Sequence, residues 1–249
     1  MEDLVQQRLI SSHQSVIVAA DVASSNQLHR IAEAVRWVPK ISALKFGVQL
    51  GLDGLWNNVR MAKDILPDVV VIYDHQKAGN DIPDMGAKFA GKLRACGIDA
   101  AILFPFAGPE TQRAWTESCL GEGLRVLVGG IMTHPKFLVS EGGYISDDAP
   151  ERIFDLACDQ GIKDFVVPGT KIDWVVRLRA QLQKKLGPNN FDLYAPGFIS
   201  QGGDITTCGI AAGPYFHAIV GSAIYGKNNI ESVEMMRSAA IKVTSQLSA

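Results

Sequence analysis

Short β-branched runs alternate along this chain with longer amphipathic stretches. Eight runs carry the apolar, β-branched signature of strands: residues 15–20, 43–48, 69–73, 100–104, 126–130, 164–168, 192–195 and 217–221. Between them, apolar positions recur every three or four residues in 26–37, 83–96, 109–120, 149–160 and 173–186. That spacing suits a helix with one face packed on a sheet. Leu28, Ile31, Ala32 and Val35 form one such stripe, and Pro83 and Pro109 stand where a first helical turn tolerates a missing N–H.

Strand–helix alternation through the chain predicts an α/β protein, a (β/α)8 TIM barrel. No linker divides it, so residues 1–249 are expected to form a single domain, with 1–14 as an N-terminal extension. A doubly wound open sheet is the architectural alternative. Polar residues favour the barrel. Asp21, Lys45, Asp74, Thr133, Gly169, Gln201 and Ser222 fall at or just beyond the C-terminal ends of different strands. A barrel gathers those ends at one mouth, and an open sheet scatters them.

Composition narrows the function classes. A net charge of −2 speaks against a nucleic-acid partner, which calls for a basic stripe. No apolar run reaches the length of a membrane span, and Met1-Glu2-Asp3-Leu4 lacks the basic-then-apolar order of a signal peptide. Cys96, Cys119, Cys158 and Cys208 are widely spaced, so they read as reduced residues of a cytoplasmic protein and not as metal ligands.

The densest chemistry lies in Tyr73-Asp74-His75-Gln76-Lys77-Ala78-Gly79-Asn80-Asp81-Ile82-Pro83, directly after the apolar run 69–72. Charges at the end of a buried strand are costly unless paired, and here the pairing is local. Asp21 closes the first strand. Lys45, between Leu44 and Phe46, must point opposite to both. Asp21, Lys45, Asp74 and Lys77 place two Asp and two Lys around one cavity, an internally neutralised array whose members can all stay charged.

From residue 16 to about 225 the chain resembles the orotidine 5′-monophosphate decarboxylase family. The resemblance is carried by Asp21, Lys45, the Asp74/Lys77/Asp81-Ile82-Pro83 block and Thr133-His134-Pro135. Pro196-Gly197 with Gln201-Gly202-Gly203, and Val220-Gly221-Ser222, complete it in the same order. It implies a decarboxylation at C6 of a pyrimidine nucleotide that uses no cofactor and no metal. Asp74 would face the substrate carboxylate, and Lys77 would stabilise and protonate the carbanion. Lys45 and Asp21 would hold the ribose, and Thr133 the pyrimidine edge. Gln201 would reach the base or phosphate, with Ile82, Pro196, Gly202, Gly203, Gly221 and Ser222 completing the substrate site. Asp81 would enter the partner's active site, making the working unit a homodimer.

The chain departs from the family pattern in two places. The family spaces its charges two and then three apart, whereas Asp74, Lys77 and Asp81 are three and four apart. Residues three apart on a strand face opposite ways, so Asp74 and Lys77 share a cavity only if a bulge absorbs a residue. The alternative register pairs His75 with Lys77 and turns Asp74 away. At the phosphate clamp, Ser222 replaces the family's Arg, leaving the backbone amides of Gly202, Gly203, Gly221 and Ser222, with Lys227 as a possible substitute. Met85 stands where many relatives have a small polar residue.

His13, His29 and His217 read as packing or surface residues, His134 as shaping its loop, and Trp37, Trp56, Trp115 and Trp174 as helix-to-barrel packing. The segment 141–144 could form a mobile loop over the mouth. Two other functions fit the chain: a metal-dependent sugar-phosphate decarboxylase or aldolase barrel, and a catalytically inactive nucleotide-binding homologue.

Overall fold

The computed structural model describes residues 8–198, 202–226 and 231–247, without the side chains of Gln76 and Lys77. Eight parallel strands close into a barrel in sequence order. They are β1 (Gln14–Ala20), β2 (Ile41–Phe46), β3 (Val70–Ala78), β4 (Ala100–Leu103), β5 (Arg125–Gly129), β6 (Asp164–Val166), β7 (Asp192–Pro196) and β8 (Phe216–Val220). Around them run α1 (Ser25–Val35), α2 (Val48–Ile65), α3 (Met85–Ala95), α4 (Pro109–Gly121), α5 (Ala149–Asp159), α6 (Ile172–Leu186), α7 (Ile205–Ala212), α8 (Ser222–Tyr225) and α9 (Val233–Thr244).

Strand alternation builds two apolar layers. Outward residues such as Val16, Val18, Leu44 and Phe46 join the helix stripes, among them Leu28, Ile31 and Val35 of α1. Inward residues such as Ile17, Ala19, Ala43, Ile72 and Leu127 fill the barrel itself. With both faces buried, the strands read as near-continuous apolar runs.

The second strand starts and ends two residues earlier than its pattern suggests, because Gly47 caps α2. That helix was not visible in the pattern. Gly51 and Gly54 interrupt its stripe, and each glycine lowers helix propensity. Trp37 and Trp56 do not pack onto the barrel. Trp37 lies beyond the end of α1 at φ 73°, 84% exposed, with the Arg36 guanidinium over its ring. Trp115 is buried as expected, and Trp174 is partly buried against the core.

The N-terminal end of the barrel is sealed by buried charge. Asp164 accepts from Arg125 at 2.7 Å and from the Tyr194 hydroxyl at 2.9 Å. Asp192 pairs with Arg8 and with His217 Nε2, and His217 Nδ1 bonds Ser15, which bonds Ser42. Burial pushes the Asp164 carboxyl above its ordinary value, a shift that the Arg125 charge opposes.

Candidate active site

At the opposite end, the strand termini surround a cavity of about 540 Å³. Lys45 of β2 points into it, while its neighbours Leu44 and Phe46 face the helices. The Lys45 Nζ donates to both carboxylate oxygens of Asp21, at 3.0 and 3.3 Å, and lies 3.5 Å from Asp74 Oδ2. Burial alone would lower the Lys45 pKa. The two carboxylates outweigh it and hold the ammonium above its ordinary value of 10.5. The Lys45 and Asp74 side chains are nearly buried, whereas that of Asp21 is 45% exposed toward the mouth.

The third strand contains a bulge of the kind that the spacing of Asp74 and Lys77 calls for. It does not open into a loop at Tyr73 but continues to Ala78. Tyr73 pairs with Ala101 of β4, and the next pair is Ala78 with Leu103. Five residue steps on β3 thus lie opposite two on β4, so residues 74–77 face the single residue Ile102, a surplus of three. Asp74 faces the cavity, and His75 turns outward, with its Nδ1 2.6 Å from the Tyr73 hydroxyl. The alternative register, with Asp74 turned away, is not the one adopted.

Thr133, Pro196, Gly221 and Ser222 also line the cavity. The Thr133 carbonyl accepts from the Thr170 hydroxyl, and Lys171 bonds Glu141 at 2.5 Å. The β5–α5 loop is thereby tied to the start of α6. Gly202 and Gly203 lie outside the lining; Gly203 instead donates its N–H to the Gly197 carbonyl. Asp81 and Ile82 are exposed on the outer side of the β3–α3 connection, away from this cavity within one chain. The Lys77 backbone belongs to β3, and Gln201 and Lys227 lie outside the described residues.

Sequence reasoning missed the apolar half of the site. Ile102, Phe104, Ile131, Met132, Val166 and Ile219 give the cavity its apolar lining. Phe104 takes the space that a side chain at 129 would fill: a Cβ on Gly129 would lie 2.2 Å from its ring. The available signal was the two-residue alternation of Ile102 and Phe104, which puts both on the inward face. Tyr225, following the Gly221 turn, completes the wall near Asp21. Among the described residues there is no group of three His, Cys, Asp or Glu that could hold a metal ion, and no helix long and apolar enough to cross a membrane.

No family model matches the chain. The chain is 27% identical over 217 residues to an orotidine 5′-phosphate decarboxylase of Methanosphaera stadtmanae, covering 86% of this chain and 91% of the relative. It is 28% identical over 231 residues to the enzyme of the same name from Pyrococcus furiosus, covering 92% and 95%. The fold superposes on the orotidine 5′-monophosphate decarboxylase of Methanocaldococcus jannaschii complexed with the inhibitor BMP. That match has a TM-score of 0.79 and 22% identity, over 95% of this chain and 99% of the other. The chain thus resembles the orotidine 5′-phosphate decarboxylases along most of its length.

Proposed function

We propose that this chain is an enzyme, a carbon–carbon lyase that converts orotidine 5′-monophosphate to uridine 5′-monophosphate in pyrimidine biosynthesis. The observation that carries the reading is the Asp21–Lys45–Asp74 array at the barrel mouth, set in a chain similar throughout to orotidine 5′-phosphate decarboxylases. A lysine between two carboxylates remains charged when the site closes around a nucleotide. It can then donate to a ribose hydroxyl while the Asp21 carboxylate accepts from one, and Thr133 bonds the pyrimidine edge.

In the reaction, the bond between C6 and the carboxylate carbon breaks and its electron pair stays on C6. Carbon dioxide leaves. The Lys77 ammonium stabilises that charge and gives C6 its proton, and water reprotonates the lysine. Asp74 beside the substrate carboxylate supplies a like-charge repulsion that vanishes as carbon dioxide departs. The first effect grows toward the transition state and the second raises the ground state, so both narrow the gap between them and raise kcat. The apolar wall of Ile102, Phe104 and Val166 excludes water and strengthens these charges. Phosphate is held by Gln201 and by the backbone amides of Gly202, Gly221 and Ser222, more weakly than with a bidentate arginine.

The working unit is a cytoplasmic homodimer in which Asp81 and Ile82 reach the partner's site. The exposure of Asp81 and Ile82, and of Leu52 and Trp56 on α2, supports that arrangement. The test is steady-state turnover of orotidine monophosphate by the wild type and Lys77→Ala, with and without a chelator. Chelator-resistant turnover that Lys77→Ala loses supports the reading. Wild-type protein that binds uridine monophosphate without turnover points to the inactive homologue. Turnover of a sugar phosphate that the chelator abolishes points to the metal-dependent barrel.

A further inference from the structure

We propose that His75, Tyr73, Phe89 and Trp115 form a brace behind the segment 74–82, positioning its two ends relative to one another. This rests on the decarboxylase reading, in which that segment carries Asp74, Lys77 and Asp81. The motif is stretched and its middle leaves the sheet ladder, so strand pairing alone does not set the distance between its charges.

The four side chains form one continuous path. At the start of the segment, His75 bonds the Tyr73 hydroxyl at 2.6 Å on the face opposite Asp74. The Tyr73 ring is buried against Phe89 of α3, with centroids 6.3 Å apart, and Phe89 stacks on Trp115 of α4 at 4.9 Å. Trp115 Nε1 then donates to the Ile82 carbonyl at 3.1 Å, at the far end of the same segment. Thr111, also on α4, donates to the Asp81 carbonyl at 3.0 Å.

Ordinary core packing would need only the rings. Here each end of the path also spends its polar tip on the catalytic segment: a tyrosine hydroxyl on residue 75 and an indole N–H on residue 82. The Tyr73 hydroxyl has little room to move, because a Cβ on Gly51 of α2 would come within 2.5 Å of it. The brace therefore transmits the positions of α2, α3 and α4 to the bulge. These are positioning residues; among them, only His75 belongs to the segment itself.

The experiment compares wild type with Tyr73→Phe, Trp115→Phe and the double variant. Each substitution keeps a ring and deletes one hydrogen bond to the segment. The readouts are kcat and KM for orotidine monophosphate, Tm, and deuterium exchange of amides 74–82. A displaced reacting group costs roughly tenfold to a hundredfold in rate. The brace predicts that loss in kcat for each single variant, with KM changed less than about threefold and faster exchange confined to 74–82. The double variant should lose little more than the worse single one, as coupled residues do. Wild-type kcat with unchanged exchange in both single variants overturns the brace. A wild type without turnover sinks the decarboxylase reading instead, and exchange alone then decides the brace.

Discussion

The two ends of this barrel both bury carboxylates beside cations, yet they differ in how the charges are completed. At the floor each carboxylate meets a guanidinium and one further donor: Asp164 has Arg125 and Tyr194, and Asp192 has Arg8 and His217. Arg8 and Ser42 border a cavity of about 720 Å³ there, but neither Asp164 nor Asp192 lines it, and both carboxylates are buried. At the mouth the Lys45 ammonium is shared by Asp21 and Asp74, and the group borders about 540 Å³ of open space. A closed pairing stabilises a fold. A pairing with exposed carboxylate at its edge, as at Asp21, can engage a substrate. Charge type alone therefore does not mark an active site; the completeness of its pairing and its access do.

Removing the mouth cation should have the largest effect. Lys45→Met removes the ammonium that Asp21 and Asp74 share, and the ribose loses its donor. We expect kcat/KM to fall about 10²- to 10³-fold in steady-state kinetics, with the protein still folded by circular dichroism. Breaking the floor should reverse that pattern. Asp164→Asn removes a buried carboxylate that accepts from Arg125 and from Tyr194, at a cost of about 2–3 kcal/mol. That corresponds to a fall in Tm of roughly 5–10 °C by calorimetry, while turnover at moderate temperature stays near wild type.

The smallest effect belongs to the Glu141–Lys171 tie beside Thr133. The hydrogen bond from Lys171 holds the Glu141 carboxyl below its ordinary value of 4.5. A depressed carboxylate contributes stability above its unfolded pKa and loses it as pH falls through the folded one. Glu141→Gln should therefore cost at most about 1 kcal/mol at neutral pH. The Tm gap to wild type should close as the pH drops below 4.5 toward the lowered folded pKa.

Much of this was legible in the chain. The barrel followed from eight apolar runs and from polar residues at their ends, and Asp21, Lys45, Asp74, Thr133, Pro196, Gly221 and Ser222 do meet at one cavity. The need for a bulge between Asp74 and Lys77 followed from strand geometry, but its size did not. The surplus is three residues because β3 rejoins β4 at the pair Ala78–Leu103, a register that depends on another segment. The Phe104–Gly129 contact was hidden for a similar reason, since it joins a ring on one strand end to a missing side chain on the next. Trp37 misled because a tryptophan in an amphipathic stretch reads as core, whereas the positive φ that turns it outward leaves no trace in composition.

The most direct test is to measure Tm and orotidine monophosphate turnover together for wild type and Asp74→Asn. If the mouth array exists for chemistry, the variant loses about 10²-fold or more in kcat and keeps a Tm close to that of wild type, because Lys45 retains Asp21 as a charge partner. Wild-type turnover in Asp74→Asn, or a fall in Tm as large as that of Asp164→Asn, would contradict the account.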